Sequence, residues 1–468
     1  MPNIAASDIS AGPAARYRTR FRLIGALRLA VLLLVLGQLG RVPLLSAGAK
    51  DAPILFNDLL LLAVLAAAGY LALRRRRLVL DRVALGALAF ATIGGISAVL
   101  AIRRFDLSTF QFAFSIGYLA RWLFYFCVYL VVINFATRRD AERIQNVVLT
   151  AALIFGAFGL FQSAFLPNFA QSVYPGSTPY LDWDIQGRRL VSTFLDPNFA
   201  GSFLAIALLL GLGRVAYGAP IARWKLLLLF VALLATLSRG ALLAFACGGL
   251  VLLWGRGLSR RVLRVGASFA VALLALSPVL LVYAIRYNKL SLDDPSLLVR
   301  LLAWARALEV WAEYPLLGVG FNTYGFAQQA MFGTDRLTTA SFGLDGGLLF
   351  IATMTGLVGV TAYSIMLWLV LRRCRRVWRD GARAAQERGL GLGVGAATVA
   401  ILVHSLFLNS LLYPFLMEVM WVLWGAVAVV AGASRGEAHA EARGTRGVRR
   451  GGLVGSPSGV IREEGGRR

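Results

Sequence analysis

Apolar runs about 20 residues long recur along this chain, separated by short arginine-rich connections. A run of that length crosses the hydrocarbon core of a bilayer as one helix, so each marks a candidate transmembrane segment. Of the 468 residues, 58% are hydrophobic and only 15% charged, whereas soluble proteins carry roughly 25% charged residues. The expected fold class is all-α: a polytopic helical membrane protein.

A window of about 19 residues gives about twelve transmembrane helices. They cover roughly Leu23 to Leu39, Ile54 to Leu73, Val83 to Ile102, Phe112 to Ala136, Val147 to Phe165 and Asn198 to Tyr217. The rest are Leu226 to Leu237, Ala241 to Trp254, Val265 to Tyr283, Gly347 to Leu371, Leu390 to Leu412 and Phe415 to Val430. Two longer polar loops interrupt them. Residues 166–197 carry four prolines with Asp182, Asp184 and Asp196, and residues 284–344 form a large loop between spans 9 and 10.

The net charge of +25, from 48 basic and 23 acidic residues, sits in loops and tail rather than in a folded basic domain. Nucleic acid is therefore excluded as a partner. Arg74 to Arg77, the TRRDAERIQ connection, Arg256 to Arg264 and RRCRRVWRD fall on one side. The positive-inside rule makes that side cytoplasmic and places both termini there. Arg103-Arg104 breaks the pattern. Residues 1–22 read as a cytoplasmic N-terminal segment leading into an uncleaved first span. Residues 23–432 read as the transmembrane domain, and 433–468 as a disordered basic tail that contacts anionic membrane lipids. No internal repeat is visible. Cys127, Cys247 and Cys374 are not spaced for a disulfide or a metal.

In the large loop, VRLLAWARALEVWAEYPLLGVGFNTYG spans Val299 to Gly325. Leu301, Leu302, Ala305, Leu308 and Val310 give one apolar helix face, and Pro315, Gly318 and Gly320 end the helix. This predicts an amphipathic helix at the outer mouth, presenting Arg300 and Arg306 to a substrate; the alternative is a helix that merely caps the bundle. Three more pieces share that side: Gly187-Arg188-Arg189-Leu190 with Ser192 to Asn198, the tight turn Ser238-Arg239-Gly240, and Asp345-Gly346-Gly347. Arg188, Arg239 and Arg300 on the side away from the basic loops point to an anionic ligand, because the guanidinium fork matches phosphate oxygens. The alternative is that each arginine snorkels, or pairs with Asp182, Asp184 or Asp196. Asp345 reads either as a base or as a helix N-cap. His404 and Glu418 lie within spans, either as functional groups or as a His404–Glu418 or His404–Asn409 packing pair.

At these residues the chain resembles the O-antigen ligase and O-antigen polymerase family of bacterial envelope glycosyltransferases. The matching pieces are GRRLVSTFLDPN (Gly187 to Asn198), LSRGALL (Leu237 to Leu243), RLLAWARAL…YPLLGVGFNTYG (Arg300 to Gly325) and DGGLLFIATMTGLVGV (Asp345 to Val360). The resemblance implies a multi-pass enzyme of the bacterial inner membrane with a periplasmic active site and no metal or other cofactor. Its donor would be an undecaprenyl-diphosphate-linked oligosaccharide, passed with inversion to an acceptor glycan or glycolipid. A chain-length regulator protein is a further expected partner. The family's diphosphate-binding arginines correspond to Arg239 and Arg300. Arg188, Arg306 and Asn198 join them as substrate-binding residues, and Asp345 with the two arginines as catalytic. Family ligases commonly carry His-Asn where this chain has Asp345-Gly346. That departure favours a polymerase of O-antigen or exopolysaccharide over a ligase that builds lipopolysaccharide by transfer to lipid A-core. A transporter, the reading from another class, would place polar residues through the midplane of several spans; here they gather at one face.

Overall fold

The computed structural model describes residues 13–47, 50–75, 78–174, 188–257, 259–286, 295–333 and 344–451. In chain order, α1 (Pro13–Leu33) leads through a 3-10 turn into a hairpin of β1 (Val42–Ala47) and β2 (Lys50–Ile54). Then come α2 (Phe56–Arg75), α3 (Arg82–Arg104), α4 (Thr109–Phe135), α5 (Arg138–Phe165) and the short α6 (Phe169–Val173). Next are α7 (Pro197–Tyr217), α8 (Arg223–Ala235), α9 (Arg239–Arg256), α10 (Arg260–Arg286) and α11 (Pro295–Glu313). The chain closes with α12 (Tyr324–Phe332), α13 (Gly347–Arg379), α14 (Ala385–His404) and α15 (Pro414–Gly451).

Ten described helices are long and apolar enough to cross a membrane, and they coincide with ten of the expected spans. The other two differ. α8 lies close to its expected bounds, but with only 13 residues it is too short to cross the hydrocarbon core. α14 ends at His404, well before Leu412. Residues 405–413 form a tight turn in which the N–H groups of Phe407 and Leu408 both bond back to the His404 carbonyl, and Pro414 then opens α15.

α7 is the axis of the bundle. Its residues from Ala200 to Leu210 are buried all round, so it is apolar on every face rather than along one stripe. It lies directly against α14. A Cβ on Gly213 would stand 2.5 Å from the Gly389 carbonyl, and one on Gly393 would stand 3.0 Å from Leu210 Cα. Small residues let two membrane helices approach this closely and gain packing that the lipid cannot supply. α10 lies at the other extreme, with Val271, Leu274, Val279 and Val282 exposed as lipid-facing side chains would be.

Ion pairs and ring contacts knit one end of the bundle. Arg373 pairs with Asp81 at 2.7 Å and Arg138 with Glu387 at 2.8 Å. Arg256 and Arg388 lie over the Tyr217 ring, and Arg379 over Trp254. This is the end where the sequence concentrates its basic loops.

One expectation needs correction. α15 is described to Gly451; of the expected tail, residues 452–468 lie outside the described set, as do residues 1–12. On α11 the expected apolar face is not the buried one. Leu301, Leu302, Ala305 and Leu308 are exposed, while Ala307 and Val310 are buried and Arg300, Ala303 and Trp304 half-buried. The helix rests on its small and aromatic residues and turns its leucines away from the protein. Such a face is stable only against lipid or at its interface.

Candidate functional site

The site lies at the bundle end opposite the basic loops, on a platform made by breaking a helix. α13 is interrupted at Gly356, whose φ is +65°. The break removes the helical bonds Thr353 to Leu357 and Met354 to Val358, which frees two carbonyls and two N–H groups. All four are taken up by the segment after α11. Val319 and Gly320 N–H donate to the Thr353 and Met354 carbonyls at 2.9 and 3.0 Å. Leu357 and Val358 N–H donate to the Pro315 and Leu316 carbonyls at 2.7 and 3.1 Å. A Cβ at Gly356 would lie 2.1 Å from the Leu316 carbonyl oxygen, so no other residue fits. Ser97 also donates to Met354 O at 2.9 Å. The GVG and TG pieces of the sequence are thus one joint that fastens the large loop to the bundle.

Arg104 belongs to the same joint. Its Nη1 donates to the Gly318 carbonyl at 2.8 Å, and its guanidinium lies 5.0 Å from the Tyr314 ring centroid. This accounts for the arginine that breaks the positive-inside pattern.

The joint holds α11 so that Arg300 meets the start of α13. Arg300 Nε donates to Asp345 Oδ2 at 3.1 Å, and Trp304 Nε1 donates to the Asp345 carbonyl. Asp345 does not cap α13: the cap position is Gly346, and no side chain bonds the first turn. The N-cap reading of Asp345 is therefore replaced by an ion pair with Arg300. The Nη groups of Arg300 make no hydrogen bond to the described residues.

From Asp345 the contacts run to the other motif pieces. Gly347 N–H donates to the Ser405 and Leu408 carbonyls at 2.6 and 3.2 Å. His404, fully buried, bonds Ser410 through Nδ1, and its ring faces Gly240, where a Cβ would stand 3.5 Å from Cδ2. Its Nε2 has no partner among the described residues. Ser238 caps α9 and donates to Asn198 Oδ1 at 2.9 Å. Asp196 caps α7, accepting from Asn198 and Phe199 N–H at 2.6 and 3.2 Å. Leu190 N–H and Arg189 Nε reach the carbonyls of Ala235 and Thr236, at 3.0 and 2.9 Å. Burial pushes the Asp196 carboxyl up to about 6, against the pull of its two N–H donors and of Arg189; the negative charge of Asp345 adds to the rise.

The structure thus brings together Arg300, Asp345, Asn198 and the Ser238-Arg239-Gly240 turn, with Arg239 exposed in the first turn of α9. It does not bring Arg306, which lies over the Phe332 ring at 5.1 Å on another side of α11. The Arg188 side chain is exposed; its carbonyl accepts from Ser163. The expected pairing of arginines with loop acids fails where it can be seen: Arg300 pairs with Asp345, and the Asp196 carboxylate serves as a helix cap. Asp182 and Asp184 lie outside the described residues. His404 pairs neither with Glu418 nor with Asn409. Glu418 accepts from Asn57 Nδ2 at 2.6 Å. Sequence reasoning missed Trp304, Arg189 and the contact of His404 with Gly240; an aromatic one turn after Arg300 was the available signal for the first. No group of three or more potential metal ligands occurs among the described residues.

A helical membrane protein with a cationic and carboxylate cluster at one end of its bundle is the class this geometry defines. Residues 224–364 match the family model described as O-antigen ligase, a stretch that holds the Ser238 turn, α11, the joint and Asp345. That stretch, less than half of the chain, is similar to the family its motifs resemble. No curated protein matches the chain.

Proposed function

We propose that the chain is a glycosyltransferase that moves a glycan from a polyprenyl diphosphate carrier, undecaprenyl diphosphate in the family, onto an acceptor sugar hydroxyl. The observation that carries this reading is the Arg300–Asp345 pair, held at the bundle end beside the Arg239 turn. The basic end faces the cytoplasm and the site the periplasm, on the positive-inside argument.

The acceptor oxygen attacks the anomeric carbon, and a C–O bond to it forms. The bond from that carbon to the diphosphate oxygen breaks, and its electron pair leaves with the carrier diphosphate. The acceptor proton passes to the Asp345 carboxylate. Charge accumulates on the leaving diphosphate, where Arg239 and the Nη groups of Arg300 stabilise it. Such preorganised donors are worth roughly a hundred- to a thousand-fold each in turnover. Asp345-Gly346 in place of the family His-Asn favours repeat-unit polymerisation. Attachment to lipid A-core is the second reading, favoured by the description of the matched family.

The test is transfer in proteoliposomes with a defined lipid-linked donor, at matched protein levels. Lysine keeps the charge but loses the fork. Arg239→Lys and Arg300→Lys are expected to lower turnover more than donor affinity. If both variants turn over like the parent, the diphosphate clamp is wrong. Offered both acceptors, a polymerase lengthens lipid-linked chains, whereas a ligase labels only the lipid A-core.

A further inference from the structure

A cavity of about 240 Å³ opens between α4, α7, α13 and the turn before α15. Its walls are aromatic: Tyr118, Trp122, Phe199, Phe321, Phe350 and Tyr413. It adjoins the candidate site through three neighbours. Phe199 follows Asn198, Phe350 lies one turn into α13 from Gly346-Gly347, and Asn409 abuts Gly347, where a Cβ would stand 3.5 Å from Asn409 Cα. The volume lies below the roughly 300–1,000 Å³ of pockets for drug-sized ligands, so it suits a single ring.

The residues on the wall indicate what that ring carries. Beside the aromatics, the lining includes the amides of Asn322 and Asn409 and the phenols of Tyr118 and Tyr413. Such groups both donate to and accept from a hydroxyl. Charge argues against a second phosphate site. Arg121, the guanidinium on the wall, donates to Asp58 Oδ2 at 3.0 Å, to Pro53 O at 2.8 Å and to Tyr125 Oη. Its charge is matched and its nitrogens are occupied. Aromatic faces with hydroxyl-sized polar contacts and no net cation match a neutral sugar ring, whose C–H faces pack on aromatics while its hydroxyls bond the polar atoms.

The geometry points to a binding site for one neutral pyranose ring in this cavity, contributed by the acceptor glycan or by the sugar next to the donor diphosphate. It rests on the transferase reading for its role in the reaction, but not for the binding itself.

The experiment uses the full-length protein in nanodiscs and methyl glycosides of glucose, galactose, rhamnose and N-acetylglucosamine as probes. Saturation-transfer NMR reads binding without needing turnover. At least one glycoside is expected to bind. Asn409→Leu, in the turn before α15, should weaken it about tenfold, and Phe350→Trp, which fills the cavity, should abolish it. Melting temperatures establish that both variants fold. In proteoliposomes Asn409→Leu should raise KM at least fivefold for one substrate, the acceptor or the donor, and that substrate is the one that fills the cavity. Absence of binding by every probe, or binding unchanged in both variants, overturns the proposal and leaves water as the occupant. A parent whose glycoside binding is lost with Phe350→Trp but which transfers nothing overturns the transferase reading and keeps the pocket.

Discussion

Replacing Asp345 by asparagine separates the ion pair seen in the structure from the catalytic role proposed for this side chain. As a partner, Asp345 holds Arg300 at 3.1 Å, with the arginine side chain 25% and the aspartate 44% exposed. A pair this open to solvent is screened and contributes roughly 0–1 kcal/mol. Asparagine keeps part of that, since its Oδ1 can still accept from Arg300 Nε, and the Trp304 bond goes to the Asp345 backbone carbonyl. Asp345→Asn should therefore change unfolding stability by less than about 1 kcal/mol. In the proposed reaction the carboxylate would take the acceptor proton, and general-base catalysis contributes about 10²–10⁴-fold. The expected result is a variant that melts with the parent but turns over at least about a hundredfold more slowly. Melting is followed by tryptophan fluorescence in detergent, and turnover by transfer to a defined acceptor in proteoliposomes. Turnover within about threefold of the parent, at equal melting temperature, would refute the catalytic role and leave only the ion pair.

Three further outcomes follow from the geometry. Gly356→Ala forces a side chain into a positive-φ position against the Leu316 carbonyl and should cost at least about 2 kcal/mol, read as a lower melting temperature; Gly69→Ala, with nothing within 4 Å, is the neutral control, and equal melting of the two would contradict the joint. Asp196 has its carboxyl raised by burial from 3.8 to about 6, so the folded state binds the proton more tightly and stability falls as pH rises through that interval. Asp196→Asn keeps the cap without the titration, so its advantage over the parent should grow from pH 4 to pH 7, up to about 3 kcal/mol, and a constant difference would refute it. In a background lacking Cys127, Cys247 and Cys374, a single cysteine at exposed Leu316 should react with an impermeant maleimide in intact spheroplasts, and one at Arg74 only after permeabilisation; the reverse pattern inverts the orientation.

Ten spans were legible because length and apolarity alone decide whether a helix can cross a bilayer. The end of α14 was not, because its stop depends on the turn at Ser405, whose hydrogen bonds leave little trace in hydropathy. The buried face of α11 was misread for a physical reason. The rule that leucines point inward assumes water outside, and beside a membrane Leu301, Leu302 and Leu308 can face away. Arg306 failed as a partner of Arg300 because six residues turn a helix about 240° past its starting face. The Arg300–Asp345 pair joins positions 45 residues apart in sequence, a proximity that periodicity cannot encode.

The arginines at this end of the bundle divide by what their donors already do. A guanidinium has five N–H groups, and a ligand can use only those the fold has left. Arg121 reaches Asp58, Pro53 and Tyr125 with all three nitrogens. Arg104 is fixed on the Gly318 carbonyl and the Tyr314 ring, and Arg189 bonds the Thr236 carbonyl. These three hold loops in place. Arg300 spends one nitrogen on Asp345, a group it can exchange for another anion, and its half-exposed side chain stands on a helix fastened by four backbone hydrogen bonds at the Gly356 break. In the proposed reaction, a diphosphate arriving there would compete with one carboxylate rather than with the fold. Its binding would then release Asp345 from the pair just as the acceptor hydroxyl comes to need a base.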